Sequence, residues 1–135
     1  MRAAHQQVTA EWWNGRAAFD IYISQLVIDE AGRGDPAAAA RRLQALDGFP
    51  LLNLTDEVVT LAADLIAKGG LPQKARIDAL HVATATIHGM DHLLTWNCRH
   101  IANASLRGKI EEICRSAGFA PPIICTPIEL SKDET

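Results

Sequence analysis

Apolar positions recur at helical spacing in a series of stretches, and short β-branched or aromatic runs separate them. From about Arg2 to Trp13, Ala4, Val8 and Trp12 fall at a spacing of four on one face, and Asn14-Gly15 ends that helix. Phe19 to Ser24 (FDIYIS) predicts a strand, and Gln25 to Ala31 continues as a helix that Gly32 and Gly34 stop. Asp35 followed by Pro36 is an N-cap with proline at the first helical position, and its helix runs to Leu46. Pro50 to Leu54 (PLLNL) reads as a second strand. Thr55 then caps a helix in which Asp56 and Glu57 suit the positive end of the dipole. Its buried stripe is Val58, Leu61, Ala62, Leu65 and Ile66, and Gly69-Gly70 closes it.

The stretch from about Gln73 to His88 carries Ile77, Ala79, Leu80, Val82, Ala83, Ala85 and Ile87 on nearly every face, which predicts a helix buried on most sides. Met90 to Trp96 reads as a strand. A helix with Ile110, Ile113, Cys114 and Ala117 on one face follows, and Ile123 to Thr126 is the last strand after Pro121-Pro122. The order α-β-α-α-β-α-α-β-α-β predicts an α/β fold: a mostly parallel sheet covered by helices on both faces. No internal repeat or low-complexity linker divides the chain, so residues 1–135 are expected to form one domain with a frayed polar tail from Ser131 to Thr135.

Composition narrows the class of protein. At 135 residues and 14.6 kDa the chain has the size of one ordinary domain, and 48% hydrophobic against 21% charged residues is a globular balance. The cysteines Cys98, Cys114 and Cys125 are odd in number and unevenly spaced, which argues against a disulfide framework and for a reducing, cytoplasmic setting. No apolar run approaches the roughly 18 residues that span a bilayer, and residues 1–9 hold no signal-like stretch. The net charge of -3 argues against a broad basic surface for nucleic acid. It leaves room for metal-assisted nuclease chemistry, in which carboxylates concentrate at the reacting centre and a divalent ion meets the phosphate.

In an open parallel sheet, ligands gather at the carboxyl ends of the strands. Glu30 in the helix after FDIYIS, Asp78 in the first turns of the apolar helix, and Thr95, Trp96 and Asn97 at the end of HLLTWN all fall near one such edge. Asp78 is the most informative of these, because a carboxylate in the apolar run RIDALHVATATIHG needs a compensating partner. That partner is either Lys74, Arg76 or the first-turn amides, or a hard cation that Glu30, Asp78, Asn97 and water would hold, as suits Mg²⁺ or Mn²⁺. Zinc ligation by Cys98, His100, His92 and Cys114 has no paired spacing to support it, and free cysteines with surface histidines are the simpler reading. His81 and His88, seven apart, read as hydrogen-bonded residues without a catalytic role. No glycine-rich phosphate loop follows a strand, since Gly32-Arg33-Gly34-Asp35 follows a helix. Trp12, Trp13 and Trp96 can stack bases, although paired tryptophans on a helix more often form core or an oligomer face.

Taken together, YISQLVIDE, then DALHVATATIHGMDHLLTWNCRHIANA, then a helix and PPIICTP resemble the PIN-domain ribonucleases, above all the VapC-type toxins of bacterial toxin–antitoxin pairs. The most selective part is the D-x-L-H-x-A-x-A helix followed by the G-x-D-x-L-L-T-W-N strand. The resemblance implies a three-layer α/β/α fold and a Mg²⁺- or Mn²⁺-dependent endoribonuclease. Glu30 and Asp78 match two acidic positions, Asn97 stands where many relatives carry a further Asp, and Thr95 matches a small hydroxyl residue near the strand end. On that reading Glu30, Asp78 and Asn97 hold the ion, with Asn97 the weaker or water-mediated ligand. A water then attacks the phosphodiester in line. Lys74, Arg76 and Arg99 are the candidate phosphate contacts. The implied partners are the RNA substrate, a cognate antitoxin and a second copy of the chain, with Trp12 and Trp13 at the homodimer interface and no membrane.

The family's first strand, which ends in an acidic ligand at the centre of the sheet, has no counterpart here, because the chain opens at the helix that follows. Two readings therefore stand: the nuclease of a toxin–antitoxin pair, and a catalytically impaired PIN-like module that keeps the surface for an antitoxin or for itself.

Overall fold

A computed structural model describes Gly15, residues 19–94 and residues 104–125. The chain runs β1 (Ile23–Ser24), α1 (Gln25–Ala31), α2 (Pro36–Leu46), β2 (Leu51–Leu52), α3 (Asp56–Ala67), a 3₁₀ turn (Gln73–Ala75), α4 (Arg76–Ile87), β3 (His92–Leu94), α5 (Ala104–Ser116) and β4 (Ile123–Cys125). This is the predicted alternation, and the fold is mixed α/β with parallel strands. The expected opening helix with Trp12 and Trp13, and the tail from Ser131, lie outside the described residues.

Among the described residues the strands form two parallel two-stranded ladders, β1 with β2 and β3 with β4. Ile23 pairs with Leu51 and Ser24 with Leu52; His92 pairs with Ile123, Leu93 with Ile124 and Leu94 with Cys125. β1 and β2 are shorter than FDIYIS and PLLNL suggested, and β3 begins at His92 rather than Met90. Composition marks which residues favour an extended backbone, but a ladder ends where the partner strand ends. Both parallel pairs are joined through helices, the kind of long crossover that parallel pairing requires.

Local chemistry sets the helix boundaries. The Asp35 carboxylate accepts from Ala38 N at 3.0 Å with Pro36 behind it, and the Thr55 hydroxyl accepts from Val58 N at 3.3 Å, as the cap residues predicted. At the far end of α3, Gly69 adopts φ +81°, and the amides of Gly70 and Leu71 both donate to Leu65 O, at 2.8 and 3.0 Å. The left-handed residue lets the chain turn back on the last orphan carbonyls, which a side chain there would strain.

The core lies between α3, α4 and α5, over the β3–β4 ladder. Val58, Leu61, Ala62 and Leu65 of α3 meet Ala79, Val82 and Ala83 of α4, with Ile110, Ile113 and Cys114 of α5 and Ile124 of β4. Ile66 packs at the edge of this cluster, and Ala117 lies beyond the end of α5 and is exposed. As expected, α4 is buried on most sides, although Ile77 is half exposed. Thr84 and Thr86 are buried in its place. Their hydroxyls donate to Leu80 O at 2.7 Å and Val82 O at 2.8 Å, so each polar group is satisfied inside its own helix.

Candidate functional site

Ser24 ends β1 and caps α1 at once, its hydroxyl accepting from Val27 N at 3.4 Å. The short helix that results carries Glu30 in its last turn. Arg42 of α2 holds that end in place, donating through Nε to Ala31 O at 3.0 Å and through Nη2 to Arg33 O. A guanidinium is well suited to this position, where helix carbonyls lack partners and the dipole is negative. Glu30 thus projects from an anchored helix end, with half of its side chain exposed.

Asp78 is placed by different means. Pro72 and the 3₁₀ turn lead into α4, and Asp78 sits in the first turn of that helix, where its charge faces the positive end of the dipole. It is half-buried, between exposed Ile77 and buried Ala79. One turn further along α4, His81 Nε2 lies 3.2 Å from Glu30 Oε1. A carboxylate only accepts, so this ring nitrogen carries the hydrogen and donates. The His81 side chain is 18% exposed against 50% for Glu30, so the pair has a sheltered imidazole and an open carboxylate.

The structure therefore ties Glu30 to α4 beside Asp78, and the tie is a residue that sequence reasoning left without a role. His81 follows Asp78 by three residues in α4, but its partner Glu30 lies 51 residues away in the chain, beyond the reach of any periodicity. His88 proves to be a second tether of the same kind, Nε2 donating to Asn53 O at 2.8 Å. Lys74 lies exposed in the 3₁₀ turn and Arg76 is exposed at the start of α4. Thr95, Trp96, Asn97 and Arg99 follow β3 and lie outside the described residues, as does Cys98. Among the described residues no group of three or more His, Cys, Asp or Glu side chains is arranged to hold a metal ion. His92 is exposed on β3, Cys114 is buried, and no disulfide joins Cys114 to Cys125. Among the described residues no helix is long and apolar enough to cross a membrane.

The described residues thus present one carboxylate on each of two helices of an α/β protein, Glu30 on α1 and Asp78 on α4, with His81 of α4 hydrogen-bonded to the first. The chain matches the PIN domain family over residues 2–104, and it belongs to that family. PIN domains are generally metal-dependent nucleases that act on RNA. No curated protein and no solved structure matches the chain.

Proposed function

We propose that this chain is a metal-dependent endoribonuclease, the toxin of a VapC-type toxin–antitoxin pair, working as one domain in the cytoplasm with Mg²⁺ or Mn²⁺. The observation that carries the reading is the tie between Glu30 and α4: in a PIN-family chain, it holds one acidic candidate against the helix that presents the other. The donor set is of the right chemistry, since two carboxylates are hard oxygen ligands for a hard divalent cation. Glu30 and Asp78 hold the ion, with Asn97 completing the protein's share directly or through water. The bound cation supplies Lewis acidity, offsetting the charge that develops on the phosphodiester.

The remaining residues bind and orient. Lys74, Arg76 and Arg99 contact the RNA phosphates, which fixes the position of the strand without reading its bases. Thr95 orients a water or a phosphate oxygen by its hydroxyl. A cognate antitoxin and a second copy of the chain, through Trp12 and Trp13, complete the partners.

The second reading is a catalytically impaired PIN-like module that keeps the family surface for an antitoxin or for self-association. Calorimetric titration with Mn²⁺ of the chain and of Asp78→Ala, beside cleavage of a mixed RNA pool, decides between them. Saturable binding and cleavage, both lost in Asp78→Ala, is the nuclease result. A folded chain that neither binds Mn²⁺ nor cuts RNA sinks the nuclease reading and leaves the binding module.

A further inference from the structure

We propose that His81 is a positioning residue for Glu30, holding one carboxylate oxygen so that the other is presented to the cation. This rests on the reading of Glu30 and Asp78 as metal ligands. Three observations carry it. His81 Nε2 and Glu30 Oε1 are 3.2 Å apart, and the contact bridges α1 and α4. The imidazole is the sheltered partner and the carboxylate the open one, so the ring fixes the acid rather than the reverse. His81 also lies one helical turn from Asp78, so the same segment of α4 carries the second ligand and the group that orients the first.

The physical gain is conformational. An unrestrained glutamate at a helix end samples many rotamers, and ordering such a side chain costs conformational entropy. A hydrogen bond made before the ion arrives removes part of that cost from binding. Groups that orient a ligating side chain in this way typically account for about 10- to 100-fold in metal affinity.

His88 supplies the control. It too ties α4 to the β1–β2 half of the molecule, through Asn53 O, but it touches neither acidic residue. A role for His81 confined to fastening the helix predicts the same effect from both histidines; a positioning role does not.

The test is calorimetric Mn²⁺ affinity of the full chain, with Tm and circular dichroism as checks of folding. The variants are His81→Leu, His81→Gln, His88→Leu and Asp78→Ala. Leucine fills the partly buried site without a donor, and glutamine restores an N–H to Glu30. The expected result is affinity lowered about tenfold or more in His81→Leu, recovered largely in His81→Gln, unchanged in His88→Leu and absent in Asp78→Ala. Wild-type affinity in His81→Leu, with binding still lost in Asp78→Ala, overturns the positioning role and leaves the metal site standing. Equal weakening by His81→Leu and His88→Leu also overturns it. A wild-type chain that binds no Mn²⁺ overturns this inference together with the reading it rests on.

Discussion

The Thr86 hydroxyl lies 3.6 Å from the Cys114 sulfur, in a buried contact between α4 and α5. That hydroxyl also donates to Val82 O at 2.8 Å, and either atom of the Thr86–Cys114 contact can supply its hydrogen. Burial pushes the Cys114 thiol above its ordinary range. Thr86 draws it back in part, but only by turning its hydrogen away from Val82; Glu111 adds to the rise and Arg115 opposes it.

A pH dependence follows from that shift. The unfolded chain releases this proton near the ordinary thiol value of 9.0, whereas the folded chain keeps it to higher pH. Between those values the folded state binds more protons, so stability falls as pH rises. The contribution is whole below the ordinary value and disappears as pH passes through the raised one. Urea midpoints at mildly alkaline pH and about two units higher should show a steeper decline in the wild type than in Cys114→Ala. Parallel declines would remove Cys114 as the cause.

Gly70 marks a place where two helices leave no room. A Cβ built there stands 2.8 Å from Ile113 Cδ1 and 3.1 Å from Leu65 O. Ile113 is itself packed in the core, and the carbonyl is backbone, so neither yields freely. Gly70→Ala should destabilise the fold by about 1–3 kcal/mol, read from chemical denaturation. An unchanged midpoint would show that the end of α3 shifts without cost.

Two residues of α3 separate burial from helix propensity. Leu65 has no exposed surface and Val59 is 54% exposed. Leu65→Ala should cost about 2–5 kcal/mol, while Val59→Ala should fall within about 0.5 kcal/mol of wild type. Similar losses at both sites would mean that Val59 is covered in solution by something beyond the described residues.

The hydroxyl cap of the same helix sets a smaller effect. Thr55→Ala removes the acceptor for Val58 N and should cost about 1 kcal/mol, and Thr55→Asp should retain most of it. Thermal unfolding of the two variants in parallel checks this, and equal losses would count against the cap.

Where the sequence was informative, the reason was local. Asp35-Pro36 and Thr55 announce helix starts because capping involves residues three apart, and Val58, Leu61, Ala62 and Leu65 announce a buried face because helical period fixes which side chains share it. The strand lengths were not legible, since a ladder depends on what lies opposite, and FDIYIS contributes only Ile23 and Ser24 to one. Asp78 was found because a charge in an apolar run needs an explanation. Glu30 and His81 were each visible, but the bond between them was not, because nothing in either segment encodes the meeting of residues 51 apart.

That same separation bears on the order in which the molecule assembles. α3 and α4 make the most extensive contact between described elements and are joined only by residues 68–75, so closing that loop costs little entropy. The helical pair is the natural early nucleus, and Leu65 and Val82 should show high φ-values. The union of Glu30 with His81 spans a much longer stretch of chain and should show a low one. In a refolding time course, helical signal would then rise before Glu30 meets His81, so the tie between α1 and α4 would be among the last contacts the chain acquires.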